Sequence, residues 1–130
     1  MYKEELMDHY RYPRNKQSLD HPDFSYDDNN PSCGDSIRIE GTIDHKKVTA
    51  LGFSGSGCVI SQATASMLTQ ACVGKTIDEI MALTKDDILA MIELQLGPTR
   101  LKCALISLHA LQQGLMLYQQ KNNPMKGKNE

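Results

Sequence analysis

Apolar and polar positions switch period twice along this chain, and the switches divide it into blocks. Leu6 and Tyr10, with Tyr2 and Met7, fall near one face of a helix over residues 2–11, which Pro13 ends. Residues 14–33 carry no period and are rich in turn formers, Asp27-Asp28-Asn29-Asn30-Pro31 above all, so they read as a long irregular connection. Strict alternation begins at residue 35. Ile37, Ile39 and Ile43 oppose Arg38, Glu40 and Thr42, the pattern of a half-buried strand. Asp44-His45-Lys46 turns the chain, and residues 47–54 make a second strand, with Val48, Ala50 and Gly52 opposite Thr49, Leu51 and Phe53. A hairpin is expected, and a short third segment from Phe53 stays open.

From residue 58 the period is helical. Ile60, Ala63, Thr64, Met67 and Ala71 share a face up to the Val73-Gly74 step. Thr76-Ile77-Asp78-Glu79 has the form of a capping box and starts a short helix to about Leu83. Thr84 opens another, to about Leu94, and Gly97-Pro98-Thr99 punctuates. The last helix runs from about Thr99 to Gln120, with Leu101, Leu105, Leu108, Leu111, Gln112 and Leu115 down one side. Residues 121–130 read as a frayed tail. Strands first and helices afterwards predict an α+β fold: a small antiparallel sheet, a hairpin or three strands, with about five helices on one face.

Length and composition add only bounds. A chain of 130 residues with 40% hydrophobic content reads as one domain, residues 1–130, with a real core. A formal net charge of −2 gives no footprint for nucleic acid or an anionic membrane. No apolar run reaches spanning length and the first residues do not form a signal peptide, so a cytoplasmic protein is expected. In that compartment the four cysteines point to metal binding or reactivity rather than a disulfide framework.

Three of those cysteines sit in turn or helix-start contexts: Cys33 in Asn30-Pro31-Ser32-Cys33-Gly34-Asp35, Cys58 after Ser54-Gly55-Ser56-Gly57, and Cys103 after Lys102. A thiol acts as ligand or nucleophile only as thiolate, and helix N-termini favour that form. The helical wheel places Cys103 in the first turn of its helix, off the leucine face, and Cys58 at the start of its own helix opposite Ile60, Ala63 and Met67. Gly55 and Gly57 leave room for another group to approach Cys58. Asp35 stands two residues after Cys33, where it is either a hard oxygen ligand or a turn residue opening a strand. Cys72 lies fourteen residues after Cys58, about 21 Å along an intact helix, and reads as apolar filling. Spacing alone matches no zinc finger, and three unrelated thiols remain an equal alternative. His45 reads as a solvated turn residue, His21 as a loop residue and His109 as a helix flank near the surface. His9 reads as a packing or hydrogen-bonding residue. Met67, Met81, Met91 and Met116 read as core filling. The Ser54–Gly57 loop lacks the lysine of a phosphate cradle.

At these residues the chain resembles the IscU/SufU-type iron–sulfur cluster assembly scaffolds, which also form the N-terminal part of NifU. Asp8-His9-Tyr10-Arg11-Tyr12-Pro13-Arg14-Asn15 is similar to the family's D-H-Y-x-x-P-R-N opening. Asn30-Pro31-Ser32-Cys33-Gly34-Asp35 matches N-P-x-C-G-D. Gly57-Cys58-Val59-Ile60-Ser61, then Ala63, Ala65 and Ser66, resembles the helix start G-C-x-I-S-x-A-S-A-S, and Cys103 stands where the third cysteine belongs. The resemblance implies a site at one tip, where Cys33, Asp35, Cys58 and Cys103 hold a transient [2Fe–2S] cluster, Zn²⁺ or Fe. It implies sulfur received as persulfide from a cysteine desulfurase of the SufS/IscS type, and delivery of the cluster to apo-proteins. Cys103 is the expected sulfur acceptor, and Lys102 is either a stabiliser of its thiolate or a solvated cation. The alternative implied function is that of a zinc-dependent SufU-type sulfurtransferase that activates the desulfurase. Two departures bear on the choice. Lys102-Cys103 replaces the His-Cys of IscU, as in the SufU branch, yet the insertion of roughly twenty residues that SufU proteins carry before this helix does not fit here. The stretch Leu96-Gly97-Pro98-Thr99-Arg100 replaces L-P-P-V-K, which argues against a dedicated Hsp70/J-protein pair.

Overall fold

The computed structural model describes residues 3–31 and 34–122. Their order is α1 (Glu4–Arg11), β1 (Phe24–Asn30), β2 (Asp35–Asp44), β3 (Lys47–Ser56), α2 (Val59–Cys72), α3 (Ile77–Met81), α4 (Lys85–Ile92) and α5 (Pro98–Lys121). The sheet is antiparallel with strand order β1-β2-β3. α5 packs on β1 and β2, α2 packs on β3 and α5, and α1 lies on α2. This is the α+β arrangement expected, with three strands rather than two. The expected frayed tail lies outside the described residues from 123 onward; Lys121 still belongs to α5.

The stretch expected to be irregular contains β1. Phe24-Ser25-Tyr26-Asp27-Asp28-Asn29-Asn30 pairs residue for residue with β2, from Phe24 opposite Gly41 to Asn30 opposite Asp35. Its alternation is hidden because only Phe24 and Tyr26 are apolar, while Asp28 fills the next inward place by bonding His109 of α5 at 2.6 Å. Tyr26 meets the same imidazole edge-on, with ring centroids 6.3 Å apart. Gly114 on α5 admits Phe24: a Cβ there would stand 2.8 Å from the ring.

The β2–β3 hairpin turns through His45 and Lys46, both with positive φ (52° and 65°), as a two-residue turn between right-twisted strands requires. The register shifts between Thr42 and Ile43, where Thr49 is the extra residue. That bulge corrects the expected face of β3. Val48 and, beyond the bulge, Leu51 and Phe53 all point into the core. β3 runs on to Ser56, so no separate segment starts at Phe53. Its outer edge is sealed rather than left open. Val48 N–H donates to the Lys75 carbonyl at 2.9 Å and Phe53 N–H to the Asn15 carbonyl at 2.8 Å.

α2 is buried continuously from Ile60 to Thr69, more widely than one stripe, because β3, α5, α4 and α1 surround it. Ala71, expected on its core face, is exposed instead, and Cys72 is fully buried. Thr76 and Thr84 both form capping boxes, with Glu79 and Asp87. α1 buries Leu6 and His9 while Tyr10 is largely exposed, a shift of one residue from the expected face. Of the methionines, Met67 fills the core, Met91 packs against it and Met81 is exposed.

The opening motif turns out to be a clasp. His9 Nδ1 lies 2.7 Å from the Ser66 hydroxyl on α2, which also accepts the Arg14 N–H at 2.8 Å. Arg14 pairs with Asp8 at 2.6 Å, and Asn15, at φ 66°, donates to Thr69 at 3.3 Å. Asp8, His9, Arg14 and Asn15 thus fix the chain between α1 and β1 onto α2 and the β3 edge. The hydrogen bond expected of His9 is present.

Candidate metal centre

The open end of the β2–β3 hairpin and the N-termini of α2 and α5 meet at one tip. Asp35 is the first residue of β2 and is 1% exposed. Cys58 is the N-cap of α2 and is exposed. Its own side chain makes no capping bond, and the carboxylate of Asp35 takes that place from across the sheet. Cys58 N–H donates to Asp35 Oδ1 at 3.0 Å, and the Cys58 thiol lies 3.6 Å from Oδ2. Negative charge at a helix N-terminus is favoured by the dipole, so the fold draws this carboxylate to this place before any ion is present.

Cys103 completes the cluster. One ligand atom each from Asp35, Cys58 and Cys103 lie within 4.8 Å of one another. In tetrahedral coordination with Zn–S near 2.3 Å and Zn–O near 2.0–2.2 Å, ligand atoms stand about 3.5–3.8 Å apart. The Cys58–Asp35 separation of 3.6 Å is already such an edge. Two sulfurs and an oxygen are a donor set that suits Zn²⁺ and iron, so the residues present fit the ion that the resemblance implies. Cys33, the fourth expected ligand, lies outside the described residues; it is joined to Asp35 through Gly34, at φ 73°.

Cys103 corrects the sequence reading. It is not off the core face but 3% exposed, the sixth residue of α5 and past its first turn, with its thiol 3.5 Å from the Thr99 carbonyl. The row of leucines misleads because α5 is pressed between the sheet and α2. Leu108, Leu111 and Leu115 are buried as expected, but at the start of the helix Leu101 and Leu105 are half-buried while Cys103, Ala104, Ile106 and Ser107 are buried. Lys102 is exposed on regular helix. Help for the Cys103 thiolate through a first-turn geometry therefore loses its structural basis.

Gly57 leaves the room beside Cys58 that the sequence leads one to expect, and Ser61 is the residue whose part the sequence did not reveal. A Cβ on Gly57 would lie 2.5 Å from both Asp35 Oδ1 and Ser61 Oγ, so the glycine is what lets the carboxylate reach Cys58. Gly55 serves otherwise: at φ 129° it gives passage to the Ser36 carbonyl of β2. The fourth thiol, Cys72, is buried, and burial pushes it up to about 11 against the opposing pull of Lys75. It takes no part in the cluster. His45 is exposed beside Asp44, and His109 is held by Asp28, so neither histidine enters the site.

The NifU-like N terminal domain family matches residues 1–125. The chain belongs to that family. It is 38% identical to the zinc-dependent sulfurtransferase SufU of Bacillus subtilis, covering 88% of this chain and 89% of the relative. It is 30% identical to the iron-sulfur cluster assembly scaffold protein IscU of Escherichia coli K12, covering 92% and 95%. Among solved structures, the SUF-system protein FiSufU of Fervidobacterium islandicum superposes with a TM-score of 0.79 at 24% identity, over 88% of this chain and 96% of that one. The N-terminal part of a NifU-like protein from Brucella abortus gives 0.76 at 18%, over 92% and 94%. These last two likenesses establish the fold. No helix among the described residues is long and apolar enough to cross a membrane.

Proposed function

We propose that this chain is an iron–sulfur cluster assembly scaffold whose ligands are Cys33, Asp35, Cys58 and Cys103. The observation that carries the reading is the convergence of Asp35, Cys58 and Cys103 from three separate elements within 4.8 Å. The cargo is a [2Fe–2S] cluster, with Zn²⁺ as the ion the same donors take when iron and sulfur are withheld. A scaffold must also let go of what it holds. Its single carboxylate is monodentate in character, since Oδ1 is engaged by the Cys58 N–H and Oδ2 faces the sulfur. One such oxygen among thiolates makes a weaker grip on soft iron than a fourth thiolate would.

Sulfur comes from a cysteine desulfurase. The Cys103 thiolate attacks the outer sulfur of the enzyme's cysteine persulfide. A new S–S bond forms on Cys103, the enzyme's own S–S bond breaks, and its cysteine leaves as thiolate without net redox change. Because Cys103 is buried, this step requires the first turns of α5 to loosen. Gly97 and the loop before it, with no side-chain cap on α5, are where that loosening starts. The recipients of the finished cluster are apo-proteins.

A second reading, a zinc-dependent sulfurtransferase, is favoured by the 38% identity to SufU and by Lys102-Cys103. The match to SufU runs over 132 positions but uses 88% of this chain, so about eighteen positions have no counterpart here, and the match to a protein named as an IscU scaffold in Streptococcus pyogenes, 134 positions and 88%, leaves a gap of the same size. By contrast, the match to the first IscU of Archaeoglobus fulgidus spans 122 positions and 94% of the chain, with essentially no net gap.

Anaerobic loading with ferrous iron and sulfide tests the choice. The scaffold reading expects about two iron atoms per chain, visible sulfur-to-iron absorption, and passage of the cluster to an apo-ferredoxin. Zinc that iron cannot displace, together with a several-fold rise in desulfurase turnover, would establish the sulfurtransferase instead.

A further inference from the structure

Ser61 stands in the first turn of α2, three residues after Cys58, and is completely buried. Its hydroxyl oxygen lies 3.8 Å from Cys58 Sγ and its proton points to the Cys58 carbonyl at 3.1 Å. The same oxygen and Asp35 Oδ1 both lie 2.5 Å from the empty Cβ position of Gly57. Ser61 therefore borders the sulfur and the carboxylate together. With Cys58 as a thiol, the S–H has Ser61 and Asp35 as its two acceptors. Once an ion displaces the thiol proton to solvent, the sulfur can only accept, and of the two oxygens only the hydroxyl can turn and donate.

The geometry points to Ser61 as a positioning residue that donates a hydrogen bond to the metal-bound sulfur of Cys58 and so sets the electron density the ion receives from it. Hydrogen bonds to ligand sulfurs are among the levers that fix the potential of an iron–sulfur centre, and groups beside the ligands tune metal affinity. The competing role is purely structural, the bond from Ser61 to the Cys58 carbonyl at the helix start. The inference rests on the reading of the site as metal-binding, and cobalt(II) separates the two.

Cobalt(II) is titrated into the wild-type chain and into Ser61→Ala, a change that keeps helix propensity and adds no bulk. Thr64→Ala serves as control, because it removes another buried α2 hydroxyl, one with no hydrogen-bond partner among the described residues. The expected result is thiolate-to-cobalt absorption in all three chains, displaced to longer wavelength in Ser61→Ala alone, with cobalt held about tenfold more weakly by that variant. A coincident absorption in wild type and Ser61→Ala overturns the role given to Ser61 while leaving the site intact. Loss of cobalt binding in Ser61→Ala also overturns it, since the hydroxyl would then be a ligand itself. A wild-type chain that shows no thiolate-to-cobalt absorption removes the metal-site reading on which the inference stands.

Discussion

Gly57→Ala concentrates the argument for the site in a single methyl group. The φ of Gly57 lies outside the left-handed region, so alanine meets no backbone objection. What it meets is chemistry: its Cβ would stand 2.5 Å from Asp35 Oδ1, where ordinary contact begins at 3.4 Å. The carboxylate must withdraw by about 0.9 Å, which carries its 3.0 Å bond from the Cys58 N–H beyond hydrogen-bond range. A hydrogen bond to a charged group contributes about 1.5–3 kcal/mol, and its loss exposes a helix N-terminus without a cap. The expected fall in unfolding free energy of the metal-free protein is thus about 1–3 kcal/mol, read by urea denaturation. Zn²⁺ affinity, read by competition with a chelator, should fall about 10–100-fold as Oδ2 swings with the carboxylate. Gly97→Ala is the comparison, since a methyl there meets nothing within 4 Å. A Gly57→Ala protein that binds Zn²⁺ within about twofold of wild type would refute the idea that Asp35 is held for the ion by Cys58.

Two further outcomes follow from titratable groups outside the cluster. With Cys72 at about 11, only about one thiol in a thousand is ionised there at pH 8, so alkylation of the native metal-free chain should spare Cys72 and reach it only in denaturant; mass mapping of the modified sites that found Cys72 labelled as fast as Cys58 would contradict its burial. His9 is lowered from 6.5, by burial first and then by Arg14, against the raising effect of Glu5 and Asp8. The unfolded chain therefore binds the proton more readily, and stability should fall as pH drops below 6.5 toward the folded value, by at most about 1.4 kcal/mol per pH unit. Denaturant midpoints at pH 7.5 and 5.5 should differ less in His9→Gln, and an unchanged difference would clear His9 of that part.

How much of this was legible in the residues depends on who writes the pattern. The β2 alternation, the α2 start, the Thr76 capping box, the helix start at Thr84 and the Gly74 stop are local rules, and the structure follows them. β1 was illegible because its inward positions include an aspartate whose partner, His109, is 81 residues away. Alternation gives the wrong inward face for β3 because the extra residue Thr49 reverses it, and nothing in Lys47–Ser56 announces a bulge. The leucine stripe puts Cys103 outside the core because it marks one buried face, whereas α5 lies against both the sheet and α2 and buries Cys103, Ala104, Ile106 and Ser107 as well as Leu108, Leu111 and Leu115. The thiol and carboxylate contexts and the room left by Gly57 are visible in the sequence; that the group filling that room is the Asp35 carboxylate, bonded to the Cys58 N–H, depends on separate elements meeting and cannot be read from spacing.

The account stands or falls on one ion shared by Cys33, Asp35, Cys58 and Cys103. X-ray absorption at the zinc edge of the Zn²⁺-loaded protein measures this directly. Three sulfurs near 2.3 Å and one oxygen at about 2.0–2.2 Å are expected, the oxygen shell alone changing in Asp35→Ala. A first shell of nitrogen and oxygen with fewer than two sulfurs would contradict it.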